Sequence, residues 1–339
     1  MVPLLSCVQS NDPEWGVNLS SLLIVGNGFD ISHGFETDFN QFKKWLCVEY
    51  GAAISEEVIE IPEYQTNYKG LEQYDNNTMA QFFYNLICSV LGDDWNDFES
   101  ALPKLDWAAY IEATVEELKW AGPYEPQDLV RITEEIASQL RELAGILKDD
   151  LFRSWARQIN IANPINLSNE LEAIIKAEEC FYLNFNYTDT LELHYGANNV
   201  CHIHGRVSNH DQLIVGHAGR YEWPNKDDGR YYMIEAYSYI NDICEAYRKD
   251  TEQAFSKHLS FFKHLTNITD IYIHGLSFSD VDSYYLDRLS SQLNFKKIKF
   301  HLHSYQKKDW GIFKAKLVAL GAKSNNVIPF RFKDLSDTE

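Results

Sequence analysis

The sequence predicts an α/β protein with a doubly wound, mostly parallel, Rossmann-like sheet that is interrupted by a large helical insertion. An apolar run at residues 22–26 leads into a glycine-rich turn and a helix. Residues 51–178 then show helical periodicity with little strand signal, and from residue 179 short apolar runs alternate with helical segments. We therefore expect a split nucleotide-binding domain, residues 15–50 and 179–335, around a helical insertion subdomain at 51–178.

The first strand is followed by a turn with an unusual glycine spacing. Gly26, Gly28 and Gly34 follow the pattern G-x-G-x(5)-G, in which the third glycine lies further along than in the common dinucleotide fingerprint. Glycine lets a backbone approach a ligand closely and turn sharply into a helix, whose N-terminal amides suit a phosphate. The turn thus indicates nucleotide binding. Residues 36–50 continue as a helix with an aromatic face.

The insertion is predicted to contain amphipathic helices, at about 78–92, 95–119 and 126–158. Trp95, Phe98 and Glu99 share helical spacing within it. We expect core packing by the two aromatic rings and a solvent-facing carboxylate on Glu99. The alternative is that Glu99 points toward a bound ligand.

Further strands are expected where short apolar runs are bounded by turn residues, at 180–183, 200–203, 213–215, 271–273, 298–302 and 327–330. Parallel strands end at the same edge of a sheet, where ligands bind in doubly wound folds. Polar residues collect at the ends of the runs, within 26–30, 184–189, 202–206, 216–217 and 274–282. Each of these Asn, Asp and His residues has a structural alternative as a turn former, a helix cap or a buried histidine. Their common position at one sheet edge favours a binding site.

Two histidines lie close together on one predicted strand. His202 and His204 are two residues apart and therefore share a face of the sheet. We expect His204, beside Gly205 at the strand tip, to be the reactive histidine and His202 to be structural.

Composition limits the class of protein. The 339 residues are 45% hydrophobic, which is enough for a large core, and carry a formal charge of −20. So acidic a surface disfavours nucleic acid and anionic membranes as partners. The six cysteines lack the spacing of a zinc site, and the segment before Cys7 lacks the features of a secretory leader. No apolar stretch approaches the ~20 residues of a membrane-spanning helix. We expect a cytoplasmic protein.

The order of the motifs resembles the bacteriophage abortive-infection AbiH family. The matching segments cover most of the chain: G-N-G-F-D with a later glycine at 26–34, W-N-D-F-E at 95–99, F-N-Y-T-D-T-L-E at 185–192, I-H-G at 203–205 and H-G-L-S-F-S-D-V-D at 274–282. At greater distance the series is similar to sirtuin-like NAD-consuming domains of bacterial anti-phage systems. The resemblance implies a sirtuin-like sheet, a role in abortive infection, and NAD as the substrate, hydrolysed at its nicotinamide–ribose bond with no metal.

The same resemblance assigns roles to residues. Asn186 and His204 fall on the catalytic asparagine and histidine. The chemistry of the bond cleavage, and not the resemblance, indicates Asp30 or Asp189 as the carboxylate that would favour the positive charge on the ribose. His204 would be the general base, with a pKa near neutrality. The phosphate turn and the late motif would bind the nucleotide through Gly26, Asn27, Gly28, Phe29, Gly34, Gly275, Ser277 and Asp280.

Three positions depart from the sirtuin-like pattern. Asn27 replaces the usual alanine, Asp30 replaces a serine, and Thr188 stands where an aspartate is usual, with Asp189 one residue on. The zinc-binding cysteines of sirtuin deacetylases are absent from the sequence. The last departure argues against protein deacetylation and leaves hydrolysis or simple binding.

Three alternatives stay open. A metal-dependent nuclease or phosphotransfer enzyme would bind a divalent ion through histidines and through Asp30, Asp189, Asp280 and Asp282. The lysines between residues 296 and 323, which are locally basic within an acidic protein, lend this alternative slight support. A nucleotide-sensing module without catalysis would bind partners through the helical insertion. An enzyme for another nucleoside substrate could use the same turn. We also expect a homo-oligomer or a partner encoded in the same operon.

Overall fold

The computed structural model describes residues 20–55, 60–66, 70, 72–122, 125–176, 180–219, 230–303 and 309–330. Its strands in chain order are β1 (Ser20–Val25), β2 (Tyr64–Thr66), β3 (Glu72–Tyr74), β4 (Cys180–Asn184), β5 (Val200–His202), β6 (Ile268–His274), β7 (Lys299–His303) and β8 (Val327–Phe330). Six of them form one parallel sheet in the order β5-β4-β1-β6-β7-β8, and β2 pairs with β3 as an antiparallel hairpin. The predicted parallel α/β sheet is confirmed.

The strand order determines where the sheet has a crevice. Numbered among themselves, the six sheet strands follow the order 3-2-1-4-5-6 that is common in doubly wound folds. The chain first builds the sheet outward from β1 through β4 to β5, and then returns to the other side of β1 with β6. The winding therefore reverses between β1 and β6, and ligands of such folds bind beyond the strand ends at this switch point.

Helices account for most of the remaining described residues. They are α1 (Asn27–Ser32), α2 (Phe39–Tyr50), α3 (Asn76–Leu91), α4 (Phe98–Ala101), α5 (Trp107–Ala121), α6 (Pro126–Ile146), α7 (Arg153–Gln158), α8 (Asn169–Lys176), α9 (Thr190–Tyr195), α10 (Ile234–Ala246), α11 (Thr251–Lys257), α12 (Leu259–His264), α13 (Asp280–Gln292) and α14 (Trp310–Ala319). A π-helical stretch, Leu147–Phe152, joins α6 to α7. None of the helices in the described ranges is long and apolar enough to cross a membrane.

Both faces of the sheet are buried. Leu22 and Ile24 of β1 pack into a cluster with side chains of α11, α12, α13 and α14. Leu23 and Val25 point the other way and pack with side chains of α8 and α9. This alternation follows from the two-residue repeat of a strand, and it explains why β1 is a continuous apolar run.

A second core lies in what we call the helical unit, α2 to α7 together with α10. Its cluster includes the fully buried rings of Trp95 and Trp107. α10 packs along α6, although it follows β5 in the chain. Helices from both sides of β4 and β5 in the sequence therefore build one apolar core.

Two expectations about secondary structure are wrong. Residues 213–215 form no strand: Leu213 and Val215 are buried in the core of the helical unit, and the Ile214 amide makes one hydrogen bond, of 2.8 Å, to the carbonyl of His204. The expected helix at 95–119 is broken, because Pro103 lies in a 3-10 turn after α4 and Asp106 then caps α5 by accepting from the Ala109 amide. The hairpin of β2 and β3 is short and polar, and no alternation of apolar and polar residues in the sequence predicted it.

Candidate functional site

A cleft of about 690 Å³ opens at the carboxyl edge of the sheet. The loops that follow β1, β4, β5 and β6 form its floor, and residues of α2, α4 and α7 from the helical unit form one wall. Residues at the first turns of α13 and α14 also line the cleft. This is where the strand order places a ligand, and the volume suits a small molecule.

The cleft brings together many of the residues predicted from the sequence. Its lining includes Gly26, Asn27, Gly28, Asp30, Asn186, His204, Gly275 and Ser277. Four others that the structure also describes lie outside this lining, namely Phe29, Gly34, Asp189 and Asp280.

The glycines at the switch point allow the loops after β1 and β6 to come into close contact. A Cβ atom on Gly26 would lie 2.6 Å from the carbonyl oxygen of Gly275, and one on Gly28 would lie 2.8 Å from Gly275 Cα. Gly275 itself has a φ of +75°, and a Cβ there would overlap the Phe29 nitrogen. Only glycine allows the loops after β1 and β6 to touch in this way, and their contact forms the cleft floor.

The first amides of α1 are already hydrogen-bonded within the protein. The Gly28 amide donates to the Gly275 carbonyl over 3.0 Å, and the Phe29 amide donates to the Gly26 carbonyl over 2.8 Å. The Phe29 ring is fully buried. These two amides therefore already have partners, and Asn27, whose Oδ1 accepts a hydrogen bond from Thr37, also lines the cleft.

Asn186 is fixed beside the glycine turn. Its Nδ2 donates to the Gly26 carbonyl over 3.1 Å, and its backbone amide donates to Asn184 Oδ1 over 2.8 Å. One ring nitrogen of His202 lies 3.2 Å from the Asn186 carbonyl oxygen, and the other lies 2.8 Å from a Glu192 carboxylate oxygen. His202 therefore has a structural role, as expected, because it braces the loop that carries Asn186.

Asp30 is a buried carboxyl group on the cleft floor. Its Oδ2 accepts a hydrogen bond from Thr188, whereas Oδ1 has no hydrogen-bond partner in the described part of the chain. Burial raises the pKa of Asp30 to about 6, although hydrogen bonds from Thr188 and Thr190 act in the opposite direction. A carboxyl group with this pKa exchanges its proton close to neutral pH, which is typical of functional sites.

His204 is buried between aromatic rings. The centroid of its imidazole lies 5.2 Å from that of Phe185 and 5.8 Å from that of Tyr285. Burial lowers the pKa of His204 well below its usual range, and the positive charge of Lys249 lowers it further. The expected pKa near neutrality is therefore wrong. His204 is a neutral imidazole at pH 7.

A buried ion pair at the cleft was not predicted from the sequence. Lys249 Nζ lies 2.9 Å from a carboxylate oxygen of Glu99, and that oxygen also accepts from the Gly216 amide over 3.0 Å. Burial alone would lower the pKa of Lys249, but the carboxylates of Glu99 and Asp282 outweigh it and the pKa is raised. For Glu99, burial raises the pKa and Lys249 opposes the rise. Lys249 therefore carries a positive charge inside the cleft.

The interpretation favoured for Glu99 is consequently wrong. Trp95 and Phe98 pack in the core of the helical unit as expected, but the carboxylate lines the cleft instead of facing solvent. The W-N-D-F-E motif was the one sequence signal that could have identified Glu99 as a cleft residue. Lys249 lies between α10 and α11, where no local pattern indicates a site.

The predicted residues outside the cleft have other partners. Arg206 Nε donates to Asp189 over 2.6 Å, and the exposed carboxylate of Asp280 lies 3.7 Å from Lys316 Nζ. Two residues later, Asp282 places a largely buried carboxylate in the cleft. Gly34 adopts a φ of +82° next to Ile165.

One group of potential metal ligands occurs among the described residues. Oxygen or nitrogen atoms of Asp189, Glu192 and His202 lie within 4.8 Å of one another. Arg206 already pairs with both carboxylates, at 2.6 Å and 3.4 Å. The guanidinium group takes the place that a cation would need, so this group is an ion-pair network at the edge of β5 and α9.

The family of the chain follows from comparison with known proteins. A family model described as bacteriophage abortive infection AbiH matches residues 22–304. No curated protein and no solved structure matches the chain. The matched region includes the glycine turn and the loops that carry Asn186 and His204, and it covers most of the 339 residues. The chain therefore belongs to the AbiH family of bacteriophage abortive infection proteins.

Proposed function

We propose that this protein is an anti-phage effector that binds NAD in the cleft and hydrolyses its nicotinamide–ribose bond. Membership of an abortive infection family supports the defence role. The observation that carries the chemical proposal is that Asn186 and His204, from the loops after two different strands, line one cleft with Asp30. The order of these residues resembles that of sirtuin-like NAD-consuming domains.

The charge of the cleft suits the chemistry. Breaking the nicotinamide–ribose bond passes through a cationic, oxocarbenium-like state, which nearby carboxylates stabilise. Among the described lining residues, Lys249 is the one lysine or arginine, whereas carboxyl groups come from Asp30, Asp38, Asp97, Glu99, Asp282 and Asp309. This environment favours a ligand whose reacting part is positively charged.

Each central residue has a role in this proposal. His204 is neutral at pH 7 and would accept a proton from the attacking water. Asn186, held by the Gly26 carbonyl, would orient that water or the ribose hydroxyls. Asn27 and Ser277 line the same cleft and would contact the remainder of the nucleotide.

A metal-dependent nuclease is less well supported. The carboxylates that it would gather do not meet in one place, because Asp189 is paired with Arg206 and Asp280 is exposed beside Lys316. Metal-dependent cleavage of DNA or RNA that a chelator abolishes would favour this alternative over NAD hydrolysis.

The proposal is tested by following nicotinamide release from NAD. The purified protein is assayed alone and with lysate of phage-infected cells, alongside Asn186→Ala and His204→Ala variants. We expect the His204 variant to lose about 10²- to 10⁴-fold in rate, as is typical for a general base. Asn77→Ala and His264→Ala, at exposed helical positions, serve as matched controls.

A measurement in cells supplies the natural trigger. Intracellular NAD should fall after phage infection in cells that carry the wild type and stay constant with His204→Ala. A constant NAD level with the wild type, or turnover that survives both cleft substitutions, would contradict the proposed reaction.

A further inference from the structure

Three buried polar groups from separate elements face one another in the cleft. His204 Nε2 lies 3.7 Å from Asp282 Oδ1, and Lys249 Nζ lies 3.8 Å from the same oxygen. His204 follows β5, Lys249 lies between α10 and α11, and Asp282 belongs to the first turn of α13. All three side chains are largely buried, and all three line the cleft.

The distances suggest a shared partner for these groups. A separation of 3.7 Å is too long for a direct hydrogen bond, but it allows one oxygen atom to bond to both sides. Neither His204 Nε2 nor Asp282 Oδ1 has a hydrogen-bond partner in the described ranges. Buried polar atoms in folded proteins nearly always have one. Two such atoms, 3.7 Å apart on the wall of a ligand-sized cleft, are placed to bind one oxygen atom between them.

The surroundings fix the direction of proton transfer. The backbone of Phe185 hydrogen-bonds to the His204 ring, and because Nε2 is unpartnered that bond uses Nδ1. The neutral ring thus carries its proton on Nδ1 and presents Nε2 as an acceptor. Glu99 anchors Lys249 over 2.9 Å, so the ammonium group stays beside Asp282, with Nζ 3.8 Å from Oδ1.

Resting on the proposed function, we propose that the attacking water binds between His204 Nε2 and Asp282 Oδ1, that Asp282 is a catalytic residue, and that Lys249 is its positioning residue. His204 takes one proton of the water, and Asp282 accepts a hydrogen bond from the other. The water oxygen forms a bond to ribose C1′ as the bond from C1′ to the ring nitrogen breaks. The electron pair of that bond passes to the nitrogen, which leaves in neutral nicotinamide. ADP-ribose remains, and His204 returns its proton to solvent.

Kinetics of single and double variants test this arrangement. Asp282→Asn keeps the size of the side chain and removes its charge, and Asp287→Asn changes an exposed carboxylate on the same helix as a control. We expect Asp282→Asn to lower kcat for nicotinamide release by roughly 10²- to 10³-fold with little change in KM. The Asp282→Asn/His204→Gln double variant should be little slower than His204→Gln, because groups that act on one water lose their effects together.

The positioning role is tested by the pH profile. Lys249→Met removes a charge that lowers the His204 pKa, so the acid limb of kcat/KM should move to higher pH, and Lys249→Arg should restore it. The Glu99→Gln/Lys249→Met variant avoids leaving the Glu99 carboxylate without its partner, should the single variant fold poorly. Thermal unfolding verifies that each variant is folded.

The outcomes separate this inference from the proposed function. If the wild type hydrolyses NAD and the Asp282→Asn variant keeps at least about one third of the wild-type kcat, the inference is overturned and the proposed function stands. An acid limb that stays at the wild-type pH in Lys249→Met and in Glu99→Gln/Lys249→Met would overturn the positioning role. A wild type that releases no nicotinamide would overturn the proposed function, and the inference with it.

Discussion

Replacing Asp30 by asparagine is expected to stabilise the protein above neutral pH. Asp30 is 1% exposed, and burial raises its pKa from 3.8 to about 6. Below pH 3.8 the carboxyl group is protonated in both the folded and the unfolded state. Between about pH 3.8 and 6 the unfolded chain loses the proton and the folded protein keeps it, so the stability falls as the pH rises. Above this window the full cost of the buried charge is present.

The size of the effect follows from the same pKa. A rise from 3.8 to about 6 corresponds to about 3 kcal/mol of unfolding free energy. Asparagine has no charge and still accepts the hydrogen bond that Thr188 donates. The Asp30→Asn variant should therefore be more stable than the wild type by about 2–3 kcal/mol at pH 8 and nearly equal to it at pH 4.

Urea unfolding followed by tryptophan fluorescence measures this difference across the pH range. The Asp97→Asn variant is the control, because Asp97 is an exposed carboxylate of the same cleft and its replacement removes no buried charge. A stability difference between wild type and Asp30→Asn that stays constant from pH 4 to 8 would refute the reasoning. In the proposed reaction the same variant should release nicotinamide more slowly, since it lacks a carboxylate near the developing positive charge.

Three other changes have defined outcomes. Lys249→Met should lower the unfolding free energy measured in urea by about 2–4 kcal/mol, because Glu99 is left without its partner. The Glu99→Gln/Lys249→Met variant should recover most of this loss. A Lys249→Met variant as stable as the wild type would contradict the expectation. Gly275→Ala should lower the unfolding free energy by about 1–3 kcal/mol or more, because residue 275 has a φ of +75° and a Cβ there would overlap the Phe29 nitrogen. Gly311→Ala is the control, since Gly311 lies in α14 with open space around it, and this variant should be as stable as the wild type or slightly more stable. In calorimetry NAD should bind at least about tenfold more tightly than NADH, because only the oxidised ring is cationic and the cleft is rich in carboxylates, and equal affinities would argue against the charge reasoning.

The sheet could be predicted from the sequence because its strands are buried on both faces. β1, β4 and β6 each contain an apolar run, whereas β7 alternates polar residues with the buried Phe300 and Leu302. The segment at 213–215 has the same composition, and its failure as a strand shows the limit of this reasoning. Leu213 and Val215 are apolar because they pack against the helical unit, and composition does not reveal which core a segment joins.

The site was predictable where its residues lie directly after strands. Asn186 and His204 follow β4 and β5, so the parallel sheet brings them to one edge. Glu99 and Lys249 come from helical segments whose approach to that edge depends on tertiary packing. Asp282 was named only as a possible metal ligand, because the spacing of the late motif drew the assignment to Asp280.

The helical unit helps to determine the pKa values of the groups at the sheet edge. The raised pKa of Asp30 and the lowered pKa of His204 both have burial as their largest cause. Strand ends of an open sheet face solvent, and the wall that Trp155 and other residues of the helical unit form limits the access of water to this cleft. The unit also supplies Glu99, which pairs with Lys249, and the positive charge of Lys249 lowers the pKa of His204 further. Since these effects depend on its position, a shift of the helical unit would change the protonation of groups in the cleft.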